Sequence, residues 1–590
     1  TGDLIDRGTY LSGNVKEKLE EARSAAERDP AFEKNVEELI NVQPEMIRFG
    51  DISYRLGTPW IPTEFIDKFA EDVLGLSDTG LNFVSVLNEY VTGKSISVAD
   101  YAKAGIYKTD RLGTINLFEA ALNQRKPKVY DEIKNGEQKI RVVNEVETQA
   151  AAEKVMEISD KFIEYIDGQK AFHKELERIY NDKYNNFRLK EYDLPAFEHY
   201  PNSNSQITLR IHQMRAVQRS LGESTLYAHQ VGTGKTFTMI TTAMEMRRLG
   251  IARKPMIVVQ NATLEDFVKD FYKLYPGANV LAPGKDERSA DNRKRLFNLI
   301  ATGDFDAIII PQSFMQFIPD DEGRKKKLIQ QKIEEYERVI EVTENDSLRR
   351  RLEKEVADLQ NQFEGVEKPK KRSVKDRAKA ENRIKTKMER QLDRRTDDVL
   401  TFEQMGIDAL FIDEAHNYKK IGFVSKMSNV KGIDTTASQR ANSLLLKAKW
   451  VQEKNNGRNV ILATGTPITN TMAEVWTMMN FVAPDILEAY NIQTFDEFAT
   501  TFGTVEPSLE FTATGNFKIA DRFKSYVNVP ELVKAFRSHA DVVLTEDVEE
   551  FQESSSIPKL RDGAMTNIVI DKNEDLEDVM QILISELERF

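Results

Sequence analysis

Hydrophobic residues recur at helical spacing through the first third of the chain. The segments NVKEKLEEARSAAERD and AAAEKVMEISDKFIEYIDG have apolar side chains three or four positions apart, with strong helix formers between them. The segment HYPNSNSQ, which is rich in turn-forming residues, follows them. This pattern predicts a mainly helical N-terminal region over residues 1–205.

Short, continuous apolar runs replace this pattern after residue 206. STLYA, PMIVVQ, NVLAP and DAIIIP alternate with helical stretches, and DALFID and NVILATG follow later in the chain. Strands that read as unbroken apolar runs are buried on both faces, which is typical of a parallel sheet covered by helices. We therefore predict an α/β fold with a parallel-sheet lobe over residues 206–485. The pattern of residues 486–590 predicts no complete domain.

A charged segment, residues 322–399, interrupts the predicted sheet lobe. Two sets of apolar residues in it form a heptad-like seam, which predicts an inserted helical hairpin or coiled-coil arm. Within it, residues 366–395 contain 13 Lys and Arg against 5 Asp and Glu, a net charge of +8. Two interpretations stay open: a basic arm that follows the phosphates of DNA, or a solvated coil whose charges face water. The seam residues are Ile329, Ile333, Tyr336 and Ile340, then Leu352, Val356, Leu359 and Phe363.

Composition narrows the possible functions. The formal net charge is −13, so nucleic acid must be bound by a local basic surface rather than by the whole protein. The chain has no cysteine, which excludes thiolate zinc sites and cysteine nucleophiles and fits a reducing, cytoplasmic environment. No apolar run approaches the ~18 residues that a membrane helix needs, so we expect no membrane partner. Because the first residues, TGDLIDRGTY, lack an initiator methionine, we expect a fragment of a longer protein.

The glycine-rich stretch GTGKT follows the first apolar run and precedes a helical pattern. Phosphates are bound by backbone N–H groups that converge at a helix N-terminus, and glycine allows the tight turn that this needs. We predict that Gly232, Thr233 and Gly234 surround the phosphates of a nucleotide. Lys235 is expected to neutralise the β and γ phosphates, and the Thr236 hydroxyl to bind Mg²⁺. A chance GxGKT in a glycine-containing turn is the alternative.

Two adjacent carboxylates end the later apolar run DALFID. In open parallel sheets, ligands bind beyond the carboxyl ends of the strands, so Asp413 and Glu414 are expected at the ligand-binding edge. Asp413 would hold Mg²⁺ through water, and Glu414 would orient and polarise the attacking water. A solvated acidic helix start is the alternative, and the presence of GTGKT in the same sheet lobe argues against it.

The stretch TGTP follows a further predicted strand, NVILA. The hydroxyls of Thr464 and Thr466 and the close backbone at Gly465 could sense the nucleotide or touch a bound strand of nucleic acid. An ordinary strand–turn–helix junction is the alternative, and it is favoured when this stretch is taken alone.

Taken in order, GTGKT, DEAH and TGTP resemble the first RecA-like lobe of superfamily two helicases, specifically the Swi/Snf-type DNA translocases. The resemblance implies a RecA-like P-loop lobe that binds ATP and Mg²⁺, hydrolyses ATP and moves along duplex DNA. ITLRIHQMRAVQ resembles the glutamine motif of that family, which implies that Gln213 contacts adenine. Strand separation by a helicase is a variant that the sequence does not distinguish. The residues that the resemblance implies for coupling nucleotide to movement are His416, Thr464, Gly465 and Thr466.

The chain departs from that family next to the phosphate loop and in one later stretch. His229 and Gln230 replace the usual acidic pair, and His229 also stands where the full phosphate-loop pattern has its first glycine. Gln260 and Phe267, in PMIVVQNATLEDFVKDFYKLYP, replace a proline and a tryptophan. These departures concern the subfamily rather than the fold.

Other stretches resemble parts of larger proteins. YLSGNVKEKL and GDISYRLGTPWIPTEFIDKF resemble segments of the very large methylase-helicase proteins of phages, plasmids and conjugative elements, which implies a covalently linked methyltransferase domain in the parent protein. DRFKSYVNVPELVKAFRSHADVVLTEDV resembles a connector to a second RecA-like lobe, so residues 486–590 are expected to lead to that lobe. Because the second lobe supplies arginine fingers in this family, we expect weak ATPase activity from this chain alone.

A function from another class stays open, namely a non-motor nucleotide-binding scaffold that recruits partners through the helical arm. Intact Lys235, Asp413 and Glu414 argue against a degenerate site. A P-loop kinase is disfavoured, because such an enzyme has no use for the DEAH and TGTP stretches. DNA-stimulated ATP turnover by the parent protein would distinguish a motor from a scaffold.

Overall fold

The structure is a computed structural model that describes most of the chain up to residue 548. The described residues are 6–84, 89–93, 96–125, 127–135, 138–195, 198–289, 292–321, individual positions between 323 and 360, 400–421, 438–469, 471–511 and 517–548. Within these ranges, no helix combines the length and the apolar character that crossing a membrane requires.

The N-terminal region is mainly helical, as its apolar spacing predicts. Its longest helix, Glu145–Gly168, begins after Asn144, whose side chain accepts a hydrogen bond from the Glu147 N–H and so caps the helix. The helices are Arg7–Tyr10, Val15–Ala26, Glu33–Asn41, Thr63–Asp72, Tyr101–Ile106, Thr114–Leu122, Glu145–Gly168 and Lys170–Tyr184.

Short strands that the sequence pattern does not predict lie between these helices and pair in antiparallel fashion. They are β1 (Gly13–Asn14), β2 (Leu76–Ser77), β3 (Asn82–Val84), β4 (Glu89–Val91), β5 (Ser97–Val98), β6 (Tyr130–Asn135), β7 (Gln138–Val143) and β8 (Phe187–Arg188). The pairs are β1 with β8, β2 with β5, β3 with β4, and β6 with β7.

A seven-stranded parallel sheet forms the centre of the lobe and confirms the predicted α/β class. The strands after residue 205 are β9 (Thr225–His229), β10 (Pro255–Val259), β11 (Val280–Leu281), β12 (Ala307–Pro311), β13 (Ala409–Ile412), β14 (Val460–Ala463), the hairpin strands β15 (Gly503–Phe511) and β16 (Phe517–Tyr526), and β17 (Ala540–Val543). The sheet order is β11-β12-β10-β13-β14-β9-β17, and every neighbouring pair is parallel. All six predicted strands are present. The seventh, β17, comes from the segment 486–590 and was not predicted.

Helices cover both faces of this sheet. They are Ile211–Ser220, Lys235–Arg248, Leu264–Leu274, Arg293–Thr302, Gln312–Met315, Gln439–Lys454, Met472–Val482, Pro484–Ala489, Phe495–Phe502 and Val529–Arg537. Alternate residues of one strand enter different hydrophobic clusters: Met256 and Val258 of β10 join one, and Ile257 and Val259 join the other. Burial on both faces explains why the strands read as unbroken apolar runs.

The N-terminal region packs against the lobe through buried aromatic residues. Tyr184 makes edge contacts with Tyr490 and Phe502, with ring centroids 5.2 and 6.2 Å apart. The Tyr490 hydroxyl donates a hydrogen bond to the Tyr184 carbonyl oxygen over 3.3 Å. One continuous hydrophobic cluster includes residues of both parts. The lobe and the N-terminal region therefore share a core.

The predicted seam of the inserted arm is confirmed at four positions. Ile333 and Tyr336 pack with Leu352 and Val356, all of them helical and buried, and Val84 of β3 joins their cluster. The arm thus contacts the N-terminal region. Ile340 is partly buried and packs against the same cluster. The other predicted positions, namely Ile329, Leu359, Phe363 and the basic residues 366–395, lie outside the described residues.

A single asparagine also joins the two parts, and its removal should destabilise the protein. Asn528 exchanges hydrogen bonds with the backbone N–H and C=O of Ser53 and donates another to the Thr501 carbonyl oxygen, over 2.9 to 3.1 Å. Asn528→Ala should lower the free energy of unfolding by about 2–4 kcal/mol, because the backbone groups of Ser53 and the buried Thr501 carbonyl oxygen lose their partner. Differential scanning calorimetry measures the loss.

Two further variants separate this effect from backbone strain, because Asn528 has a left-handed φ of 51°. Asn528→Gly should be about 1 kcal/mol less destabilising than Asn528→Ala, since glycine adopts that φ without penalty. Asn491 has a φ of 53° and an exposed side chain, so Asn491→Ala reports the strain alone. Equal losses for Asn528→Ala and Asn491→Ala would contradict the hydrogen-bonding account.

Candidate active site

The phosphate loop joins β9 to the helix Lys235–Arg248. Gly232 and Gly234 both have a φ of +91°, which favours glycine, and Thr233 between them is fully buried. A Cβ on Gly234 would lie only 2.4 Å from the Gln213 side-chain nitrogen. Thr236 lies in the first turn of the helix. The loop therefore has the glycine-dependent backbone and the helix N-terminus that the sequence predicts.

Lys235 lies against the start of the loop and near the carboxylates of β13. Its Nζ donates hydrogen bonds to the carbonyl oxygens of His229, over 2.9 Å, and Gln230, over 3.4 Å. Burial lowers the pKa of Lys235, and the charges of Glu414 and Asp413 partly offset this effect. The structure thus brings together the three residues that the sequence predicts for catalysis.

Asp413 follows β13 and is held by its backbone. Its N–H donates to the Val258 carbonyl oxygen over 2.8 Å, and its own carbonyl oxygen accepts from the Gln312 side chain over 2.8 Å. Burial, together with the charge of Glu414, raises the pKa of Asp413 to about 6, although Lys235 opposes this shift. A divalent cation would favour the ionised carboxylate. Asp413 and the Thr236 hydroxyl offer the hard oxygen ligands that suit Mg²⁺.

Glu414 adopts an unusual backbone conformation and connects to the TGTP stretch. It has a left-handed φ of 49° and ψ of 52°, which is strained for a residue other than glycine. The Nδ1 atom of His416 lies 3.0 Å from the Glu414 carboxylate and 3.1 Å from the Thr464 hydroxyl. The same hydroxyl oxygen accepts a hydrogen bond from the Thr466 N–H over 3.1 Å. A continuous polar chain therefore leads from Glu414 to the TGTP turn.

This turn also packs on the phosphate loop. The Thr464 N–H donates to the Tyr227 carbonyl oxygen of β9 over 3.0 Å. A Cβ on Gly465 would lie 3.2 Å from the Val231 side chain and 3.6 Å from the His229 carbonyl oxygen. The four residues predicted for coupling thus gather beside the phosphate loop and the carboxylates.

Gln213 and its neighbour support the loop from the helix Ile211–Ser220. The buried Gln213 side chain accepts a hydrogen bond from the Arg210 N–H and donates one to the Gly234 carbonyl oxygen, each over 2.9 Å. His212 Nε2 lies 2.8 Å from the Thr233 carbonyl oxygen. Burial lowers the pKa of His212, so a neutral ring can donate this bond. Gln213 therefore lies at the phosphate loop, and its adenine contact stays a prediction.

A lysine–glutamate pair that the sequence analysis missed joins the DEAH and TGTP segments. Lys419 donates to the Glu474 carboxylate over 3.0 Å and to the Thr469 hydroxyl over 3.1 Å. Burial opposes ionisation of Glu474, but hydrogen bonds from Thr469 and Lys419 hold its pKa below the usual value. Fifty-five positions separate Lys419 from Glu474. A single sequence carries no signal for such a pairing.

Comparisons with known proteins match parts of the chain. A domain of unknown function, DUF8437, matches residues 55–186. Defense against restriction protein B of Escherichia phage P1 is 29% identical over 164 residues, which are 27% of this chain and 7% of that protein. Chromatin-remodeling ATPase INO80 of Sclerotinia sclerotiorum is 27% identical over 156 residues, 26% of this chain and 7% of the relative. Helicase ssl-1 of Caenorhabditis elegans is 31% identical over 123 residues, which are 20% of this chain and 4% of that protein.

The chain therefore spans less than a tenth of the length of each of these relatives. Among solved structures, the SWI2/SNF2 ATPase core of Sulfolobus solfataricus in complex with dsDNA is 15% identical. That match has a TM-score of 0.26 and covers 50% of this chain and 40% of the other.

One family model spans most of the site. Its description is "Probable helicase domain", and it matches residues 220–543. This range begins just before β9 and ends with the last residue of β17, so it includes the phosphate loop, the carboxylates and the TGTP turn. Because the match covers more than half of the chain and the whole seven-stranded sheet, the chain belongs to this helicase-domain family.

Proposed function

We propose that this chain carries the ATP-binding motor lobe of a protein that moves along duplex DNA. The observation that carries the proposal is the meeting of Lys235 with Asp413 and Glu414 at the carboxyl edge of a parallel sheet. One cation and two carboxylates beside a glycine loop match the needs of phosphoryl transfer to water, which depends on positioning and on charge stabilisation. A helicase-domain family model over the same residues supports this assignment.

Each residue has a distinct role in the proposed reaction. Lys235 faces the β and γ phosphates, while the N–H groups around Gly232 and Gly234 surround them. Thr236 and Asp413 would hold Mg²⁺, which would neutralise phosphate charge. Glu414 orients the attacking water and accepts its proton as the bond between the γ phosphorus and the bridging oxygen breaks.

The polar chain from Glu414 to Thr464 gives the proposed site a route to DNA. His416 lies between them, so a change at the γ phosphate that moves Glu414 alters the contacts of the TGTP turn. The ion pair between Lys419 and Glu474 connects the segment after TGTP to the segment after DEAH. These contacts are the path along which we propose that the nucleotide acts on the TGTP turn.

Similarity to longer proteins supports the larger setting that we propose. A chromatin-remodeling ATPase and a helicase among the relatives support a motor that acts on duplex DNA. The phage relative, a defense against restriction protein, supports a place in a DNA-modification or mobile-element protein. A methyltransferase domain and a second RecA-like lobe, which would complete the ATP site with arginine residues, belong to this proposal. If DNA does not change the rate of ATP turnover, the alternative function, a nucleotide-binding scaffold, is favoured.

Removal of the loop lysine should abolish nucleotide binding. Lys235→Ala deletes the cation that faces the phosphates, so affinity for a fluorescent ATP analogue should fall about 100-fold or more. Lys269→Ala is the matched control, because Lys269 is exposed and pairs only with Asp266 among its described contacts. An equal affinity for the Lys235→Ala variant and the control would overturn the assignment of the loop.

Conversion of the second carboxylate to an amide should separate binding from hydrolysis. Glu414→Gln keeps the shape of the side chain and an oxygen that faces His416, but it cannot accept the proton of water. ATP affinity should therefore persist while turnover of the parent protein falls about 100-fold or more. Glu488→Gln, at an exposed glutamate, is the control. Native turnover in the Glu414→Gln variant would assign water activation to another residue.

A change at the TGTP turn tests the motor itself. Thr464→Val removes the hydroxyl that lies between His416 and the Thr466 N–H, whereas Thr464→Ser retains it. In the parent protein, duplex DNA should stimulate ATP turnover of the wild type and of Thr464→Ser. Thr464→Val should bind ATP but lose most of this stimulation. A wild type that binds DNA and ATP without any stimulation would favour the scaffold.

A further inference from the structure

Two of the residues that depart from the family pattern, His229 and Gln230, contact the seventh strand. The His229 side chain is fully buried, and its Nε2 lies 2.6 Å from the Asp541 carboxylate of β17. Tyr227 stacks on the same imidazole with ring centroids 5.3 Å apart. The His229 side chain therefore packs against residues of β9 and β17. An ordinary phosphate loop has a glycine at this position and so has no side chain to make these contacts.

Asp541 is suited to fix the orientation of this imidazole. Burial disfavours its charge, but the hydrogen bond from His229 and the charges of His229 and Arg219 hold its pKa below the usual value. An ionised carboxylate accepts a hydrogen bond from Nε2–H and so orients the ring. The backbone carbonyl oxygen of His229 then accepts the hydrogen bond from Lys235 over 2.9 Å. One residue thus connects β17 to the lysine of the phosphate loop.

Gln230 connects the same two segments through its backbone and its side chain. Its N–H donates to the Val543 carbonyl oxygen over 2.9 Å. Its Oε1 accepts from the Thr545 N–H and hydroxyl over 2.8 and 2.9 Å. Its carbonyl oxygen accepts from the Thr233 hydroxyl over 2.7 Å and from Lys235 over 3.4 Å. The turn after β17 therefore contacts a residue whose other groups hold the phosphate loop.

We propose that His229 and Gln230 are positioning residues that make β17 and the short helix Thr545–Asp547 part of the nucleotide site. Nucleotide at the loop and docking of this C-terminal segment then stabilise each other, because coupling between two binding events is reciprocal. This inference rests on the proposed nucleotide binding. It adds a segment that carries none of the motifs GTGKT, DEAH and TGTP. It also gives a role to the two departures from the family pattern that lie next to the phosphate loop.

If these contacts only stabilise the fold and are not coupled to nucleotide binding, a different result is expected. The backbone pairing of β9 with β17 already holds the strand in the sheet. If the side chains only added stability, nucleotide would leave the exchange of the Thr545 amide unchanged. Any destabilising change in β17 would also weaken nucleotide binding as much as a change at Gln230. Hydrogen exchange and nucleotide affinity, measured together, separate these two cases.

The test uses the full chain with three substitutions. Gln230→Leu removes the oxygen that accepts from Thr545, at an exposed position where folding should survive. Gln230→Glu restores an acceptor oxygen. Ser538→Ala is the matched control, because Ser538 donates a buried hydrogen bond to the Ala535 carbonyl oxygen just before β17 begins. A fluorescent ATP analogue with Mg²⁺ measures affinity, and mass spectrometry follows amide exchange in the peptide that contains Thr545.

In the wild type, the Thr545 amide should exchange slowly, and the ATP analogue should slow its exchange further. In Gln230→Leu, exchange without nucleotide should be about 10-fold faster, the additional protection should disappear, and affinity should fall about 5-fold or more. Gln230→Glu should restore the slow exchange, and Ser538→Ala should keep the nucleotide-dependent protection.

Three outcomes would overturn the inference. Analogue binding by the wild type without added protection at Thr545 would remove it and leave the proposed function intact. Equal losses of affinity in Ser538→Ala and Gln230→Leu would assign the effect to general stability. A wild type that binds no analogue would remove the proposed function together with the inference.

Discussion

The balance of charge between Lys235 and the adjacent carboxylates Asp413 and Glu414 is the constraint on which the site depends. Burial, together with the charge of the adjacent Glu414, raises the pKa of Asp413. Lys235 offsets part of this shift, while its own pKa is lowered by burial. Further positive charge at the carboxylates would favour their ionised forms. The nucleotide with Mg²⁺ that we propose would add such charge there and would place negative phosphates at the loop.

The parallel sheet makes this arrangement possible. Because β9 and β13 run in the same direction on either side of β14, the loop after β9 and the carboxylates after β13 emerge at one edge. The turn after β14 emerges between them, which places Thr464 where it contacts His416. Strand order thus determines which segments meet, and the local residues then determine what chemistry occurs there.

The sequence predicted those parts of the molecule whose signal is local. Six strands of the sheet could be found because they are continuous apolar runs, and the loop and carboxylates because they end such runs. The strand β17 was missed, since it has four residues and one of them is Asp541. Two antiparallel pairs of the N-terminal region, β1 with β8 and β2 with β5, were missed for a related reason. Strands such as β1 and β8 have two residues each, and their partners are far apart in the chain.

Besides these strands, contacts between residues that are distant in the chain could not be predicted from a single sequence. The pairing of Lys419 with Glu474 and that of Asn528 with Ser53 depend on packing that no local pattern encodes. Residue types gave the candidates for coupling, but only the structure gives the distances that join Glu414, His416 and Thr464. Gln213 illustrates the same limit, because its hydrogen bonds to the loop could not be distinguished from an adenine contact on the basis of a motif.

The histidine before the phosphate loop shows how a departure from a motif can be accommodated. His229 is the last residue of β9, so its backbone is that of a strand and does not require the freedom of glycine. What the position requires is room for the side chain and a partner for its polar ring. The neighbouring β17 supplies the partner for one ring nitrogen, since the Asp541 carboxylate lies 2.6 Å from Nε2 of the imidazole. An aspartate inside a buried strand would in turn be costly without that histidine and Arg219. The two departures from simple rules, a histidine for a glycine and an acid within a strand, therefore compensate each other, and neither could be understood from its own segment of the sequence.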